Sequence, residues 1–141
     1  MKYSTFFKIG VFCLTILLLG CEKDEIKSPQ IEYVDGGIGT SQTSGAIEFN
    51  FNIPNNYATG RVRIEFPQAN LLNEVNGIGY KQIRFLSVYS GTYNYTFEFW
   101  GIENNNSEGE TEVPSLSKFF IIDETIEVKN GQTLIITQDV D

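Results

Sequence analysis

Tyr93-Asn94-Tyr95-Thr96-Phe97-Glu98-Phe99 alternates aromatic and polar side chains without interruption. Successive side chains of a strand point to opposite faces, so this period places the four rings on one face and Asn94, Thr96 and Glu98 on the other. A helix would distribute the same rings around its axis. The stretch therefore predicts a half-buried strand whose aromatic face joins a core. The signature recurs on either side. Ile47, Phe49, Phe51 and Ile53 alternate with Glu48, Asn50 and Asn52, and Val62, Ile64 and Phe66 alternate with Arg61, Arg63 and Glu65. Toward the C-terminus, Lys118-Phe119-Phe120-Ile121-Ile122 is a continuous apolar run, short enough for a central strand.

Turn chemistry divides these runs. Pro54 to Gly60 reads as a loop, which predicts an antiparallel hairpin of the 47–53 and 62–66 runs with Arg61 and Arg63 facing Glu48 or its neighbours. Pro67 ends the second run. Ala69 to Tyr80 is less regular; Leu71 and Leu72 suit a helical turn or a bend, and Asn76-Gly77-Ile78-Gly79 suits a turn. Lys81 to Tyr89 returns to strand, and Leu86 and Val88 mark a shift of face or a bulge after Ile83 and Phe85. Ser90-Gly91 and Asn130-Gly131 predict two-residue hairpin turns, the second between Thr125–Lys129 and Gln132–Thr137. Gly101 to Glu112 is too polar to be buried and is expected as a loop. The sum is seven or eight strands at short spacing with no convincing helix after residue 20. That predicts one all-β domain over residues 31–141, a β-sandwich of immunoglobulin-like or transthyretin-like kind.

The first 20 residues follow another pattern. Lys2 and Lys8 supply positive charge, Ile9 to Leu19 is apolar, and the small Gly20 precedes Cys21. This is the layout of a secretory signal. Its apolar run of about 11 residues falls short of the ~20 that a spanning helix needs. Leu18-Leu19-Gly20-Cys21 resembles the lipobox of bacterial lipoproteins, although position 19 carries Leu where that family more often has a smaller residue. The resemblance implies cleavage before Cys21, a diacylglycerol on its thiol and an acylated amino terminus. Acyl chains contribute ~0.8 kcal/mol per buried methylene, so two or three hold a domain on a membrane durably. Residues 21–30 then form a charged tether, long enough when extended to hold the domain about 20–25 Å from the bilayer. Glu22-Lys23-Asp24-Glu25 resembles the export signal of small surface lipoproteins of the Bacteroidota, which implies an outer-membrane location on the cell surface.

Composition narrows the chemistry. The chain has 141 residues, two cysteines and no histidine. Cys13 would leave with the signal and Cys21 would carry lipid, so no disulfide is expected. Removing Lys2 and Lys8 leaves 8 basic residues against 18 acidic ones, a net charge of −10. Nucleic acid and anionic head groups call for clustered Lys and Arg, so neither is an expected partner. Without His there is no Ser-His or Cys-His pair, and no nucleophile elbow or phosphate loop occurs. No cofactor is expected beyond the covalent lipid, and the chain reads as non-catalytic. Glu103, Glu108 and Glu110 lie in an oxygen-rich stretch that would suit calcium or a carboxylate hydrolase, but no Asp-x-Asp-x-Asp-Gly pattern accompanies them. Trp100 breaks the aromatic alternation and faces away from the Phe99 side, and Tyr57 falls in a polar stretch. Both are candidate contacts for a partner. The expectation is a lipid-anchored envelope protein that binds a protein or glycan or serves an outer-membrane complex. A periplasm-facing subunit of an envelope machine is the alternative, since small transthyretin-like lipoproteins of type VI secretion systems share this size and pattern.

Overall fold

The computed structural model describes residues 26–103 and 116–140. The signal segment, Cys21 and residues 22–25 of the tether, together with Glu108 and Glu110, lie outside them. Eight strands form in chain order: β1 (Gln30–Asp35), β2 (Ser44–Ile53), β3 (Tyr57–Phe66), β4 (Leu71–Asn76), β5 (Gly79–Tyr89), β6 (Gly91–Glu103), β7 (Leu116–Val128) and β8 (Gln132–Gln138). A single 3₁₀ turn, Pro67–Ala69, follows β3. The strands make two four-stranded sheets, β1-β8-β2-β5 and β4-β3-β6-β7, packed face to face as a sandwich.

Every strand pair is antiparallel except β2 with β8, which is parallel. The β2–β5 pairing in one sheet and β3–β6–β7 in the other follow the B–E and C–F–G order of an immunoglobulin-like sandwich. One strand departs from that order. β8 inserts between β1 and β2, antiparallel to the first and parallel to the second.

The alternating residues meet between the sheets. Ile47, Phe49, Phe51 and Ile53 of β2 face Val62, Ile64 and Phe66 of β3 and Tyr95, Phe97 and Phe99 of β6, and all are buried. Phe49 sits at the centre of the ring cluster, with centroids 5.1 Å from Tyr95, 6.1 Å from Phe66, 6.3 Å from Phe85 and 6.5 Å from Phe97. Such tilted and edge-on pairs satisfy the ring quadrupoles.

Four expectations are corrected. The β2 and β3 runs do not pair as a hairpin; the chain passes from one sheet to the other between them. Arg61 and Arg63 therefore lie in the second sheet, beside Glu74 and Glu65, and Glu48 receives Arg84 instead. Ser90-Gly91 and Asn130-Gly131 also carry the chain between sheets. Gly131, at φ 71°, suits the sharp turn, and its N–H donates to the Ser44 carbonyl while its own carbonyl accepts from Gly36. Leu71–Asn76 is a strand along β3, with neither a helical turn nor a bend. Finally, β7 is an edge strand rather than a central one, and only one face of its apolar run packs on the core: Phe120 and Ile122 are buried while Phe119 and Ile121 face out. The bulge in β5 is present: Leu86 and Ser87 both point outward, Ser87 at φ 55°, before Val88 turns back into the core.

Candidate partner-binding face

Cross-strand register sets the outer face of the β4-β3-β6-β7 sheet. One row runs Asn76–Arg61–Trp100–Phe119 and the next Glu74–Arg63–Glu98–Ile121. β3 and β7 lie on opposite sides of β6, so Arg61 and Phe119 flank Trp100 from either side. The Arg61 guanidinium carbon stands 4.3 Å from the Trp100 ring centroid, and the Phe119 ring centroid is 5.4 Å from it, tilted by 38°. Arg61 is held in turn by Glu74, with Nε to Oε2 at 3.4 Å. The indole is therefore fixed before any partner arrives.

Around it the surface is apolar and open. Phe119 is 49% exposed and Ile121 44%. A groove of about 330 Å³ runs beside Trp100, lined by Thr59, Gly60, Arg61, Asn76, Trp100 and Ile102. Gly60 closes the inner side, since a Cβ there would meet Ile53 at 2.6 Å. The margin is charged. Arg63 Nη2 donates to Glu65 Oε2 at 2.7 Å, Thr96 Oγ1 donates to Asp123 Oδ1 at 2.7 Å, and Glu98 sits between. Carboxylates outnumber the two guanidinium groups there.

Trp100 thus lies on the outer face, as its sequence position predicted. Tyr57 does not join it. The ring is 3% exposed and packs edge-on to Phe99 at 5.5 Å, over Gly101, where a Cβ would come within 2.5 Å of it. A register shift between Tyr57 and Thr59 turns Ala58 and Thr59 both outward and Tyr57 into the core. Glu103 is exposed at the end of β6. Among the described residues no group of three or more Cys, Asp or Glu side chains converges to hold a metal ion. Burial raises the pKa of the Tyr95 hydroxyl well above the ordinary tyrosine value, and Glu124 nearby adds to the shift. That phenol belongs to the core and faces no cleft.

Reading the sequence alone missed Arg61, Phe119 and Ile121 as members of this face. Arg61 stands two residues before an arginine of identical alternation, so nothing singled it out. The two apolar residues were hidden inside a run that looked buried on both faces. Comparison with known protein families, well-characterised proteins and solved structures finds no match to this chain.

Proposed function

We propose that the chain is a lipid-anchored, non-catalytic envelope protein of the outer membrane, displayed at the cell surface, whose β4-β3-β6-β7 face docks a protein partner. The observation that carries the docking is the preassembled Arg61–Trp100–Phe119 row. Trp and Arg dominate the energetics of protein interfaces, and a ring already held in place forfeits little entropy on binding. The partner presents an apolar centre to Phe119 and Ile121 and a basic rim to Glu98, Glu74 and Asp123. Anchoring rests on the Leu18-Leu19-Gly20-Cys21 sequence and surface display on Glu22-Lys23-Asp24-Glu25.

A photocrosslinking amino acid at position 119 of the full chain in its own cells tests the docking. It should trap one specific protein, and Trp100→Ala should abolish the adduct. The same reporter at Tyr89, which is 73% exposed at the other end of the molecule, should not trap it. An adduct that survives Trp100→Ala, or one obtained equally from position 89, would refute the face. Cys21→Ala should release the chain from membranes, and protease added to intact cells should digest the wild-type domain. Protection until lysis would place the domain in the periplasm.

A further inference from the structure

On the opposite face of the sandwich, where the tether meets β1, a second cleft of about 320 Å³ opens between the ends of β1, β2, β5 and β8. Its walls carry Gln30, Asn50, Asn52, Tyr80 and Thr137. The charged groups along it are Lys27 and Asp139, and these two are paired with each other. We propose that this cleft binds a neutral carbohydrate, one or two pyranose rings, with a sugar face laid on Tyr80.

Three observations carry this. The first is charge. The chain has a net charge of −8, yet Asp139, the carboxylate on the cleft wall, is paired with Lys27, and the other polar side chains of the lining are amides and hydroxyls. Amides and hydroxyls both donate and accept, as sugar hydroxyls do, whereas an anionic ligand selects donors and a cation selects acceptors. The second is the ring. Tyr80 is 66% exposed, but its hydroxyl donates to Asn50 Oδ1 at 2.6 Å, which fixes the ring's orientation. Polarised C–H groups of a sugar suit the negative face of such a ring. The third is a supporting row. Asn50 Oδ1 also accepts from Gln82 Nε2 at 3.1 Å, and Asn50 Nδ2 donates to Glu48 Oε1 at 3.0 Å. Glu48 Oε2 accepts from Arg84 Nε at 2.8 Å. This chain of bonds holds the Asn50 amide in one orientation. Gln30, Asn52 and Thr137 are exposed and make no side-chain hydrogen bond among the described residues, so their groups are available.

Trp100 does not offer the same chemistry, because Arg61 and Phe119 already occupy its two sides. The carbohydrate cleft is therefore independent of the protein-docking face, and either can fail alone. The full chain, held in micelles of a sugar-free amine-oxide detergent, is titrated with cellotriose, maltotriose, chitotriose and mannotriose by calorimetry and saturation-transfer NMR. At least one should bind with a Kd between about 10 μM and a few mM. Tyr80→Ala should abolish that binding, and Tyr80→Phe, which keeps the ring but loses the bond to Asn50 that orients it, should weaken it by less than Tyr80→Ala does. The Asn52→Ala, Thr137→Ala double variant leaves the Tyr80–Asn50 bond intact and should weaken binding at least about tenfold, a loss of roughly 1.4 kcal/mol. Trp100→Ala should leave it unchanged. No binding of any of the four at about 10 mM would overturn the proposal. So would binding that survives Tyr80→Ala, or displacement of the sugar by a neutral tripeptide of equal affinity.

Discussion

Phe49→Ala is the substitution that most directly probes the two-sheet core. Phe49 is fully buried, and three of its four ring neighbours, Phe66, Tyr95 and Phe97, belong to the opposite sheet. Deleting a buried phenylalanine costs about 3–5 kcal/mol through lost transfer energy and the cavity left behind. Aromatic pairs add about 0.5–1.5 kcal/mol beyond buried area, so a ring with four such neighbours belongs at the upper end, about 4–5 kcal/mol. Small domains have ~5–15 kcal/mol in total, so the variant should fold only marginally. Urea unfolding of the full chain, followed by near-ultraviolet dichroism, reads the effect. With a slope of about 1–3 kcal/mol per molar urea, the midpoint should fall by roughly 2 M. Phe49→Leu, which refills most of the space, should recover more than half of that. A loss below about 2 kcal/mol with an unchanged slope would mean the ring does not bridge the sheets, and the packing described would be wrong.

Three further substitutions test local features. Ser87→Gly should stabilise the domain by about 0.5 kcal/mol, because Ser87 holds φ 55° in the β5 bulge and glycine adopts that region without strain; thermal unfolding reads it. Gly45→Ala should destabilise by about 1–3 kcal/mol, since its Cβ would lie 2.5 Å from the Lys129 carbonyl oxygen and 2.8 Å from that of Gln132, both backbone atoms of the β7–β8 crossing. Tyr95→Phe should flatten the alkaline limb of the stability curve. The raised pKa means that the folded state keeps its proton where the unfolded chain releases it. Wild-type stability is thus full below the ordinary tyrosine pKa of ~10 and falls above it by up to ~1.4 kcal/mol per pH unit. The variant lacks that loss, and equal slopes for both proteins between pH 10 and 11.5 would contradict the burial of this phenol.

Which face of each strand is buried was legible because alternation is a local property of the chain. Phe49, Val62 and Phe97 all fell inside as their spacing required. Which strand lies beside which was not legible, because that choice is not local. A hairpin and a crossing between sheets bury the same alternate residues, and both begin with a tight turn. Asn130-Gly131 shows the ambiguity: the positive φ of Gly131 suits a hairpin, yet here its N–H and carbonyl are tied to Ser44 and Gly36. Tyr57 shows a second limit. Counting back by twos from Val62 through Gly60 puts residue 57 on the outer face, and the extra residue near Ala58 reverses it. At the docking face, Trp100 could be found because it follows Phe99 directly. Phe119 could not, since the run Phe119-Phe120-Ile121-Ile122 shows no apolar/polar alternation, and only the two-layer packing leaves the Phe119 side uncovered.

Strand direction adds a constraint that neither site carries alone. β2 and β8 run the same way, and Gln30 pairs with Thr137, so the tether joins the sandwich at the end where β2 and β8 finish. β5 begins at that end, because Gly79 pairs with Ile53. β4 finishes there, leading into β5, and Asn76 pairs with Arg61 near the start of β3. β6 finishes there too, since Glu103 pairs with Tyr57. Trp100 and Tyr80 therefore occupy opposite faces of one end, the end that carries the tether. A 13-residue strand such as β6 spans about 43 Å, so the far end of the domain, with Tyr89 and Asn130, stands well away from both. If Cys21 carries lipid, both surfaces are kept near the bilayer rather than presented outward. Lys27 is tied to the domain through Asp139 and Gln138, so the free tether is no longer than residues 21–26, about 20 Å when extended, and it confines them to a thin layer above the membrane, where effective concentration favours partners that are themselves membrane-bound. The proposed protein partner is accordingly expected to be an outer-membrane protein with a basic rim at the surface, and the proposed carbohydrate one that is attached to the same membrane. Crosslinks from position 119 to a secreted, freely diffusing protein would contradict this orientation even if the docking face itself were right.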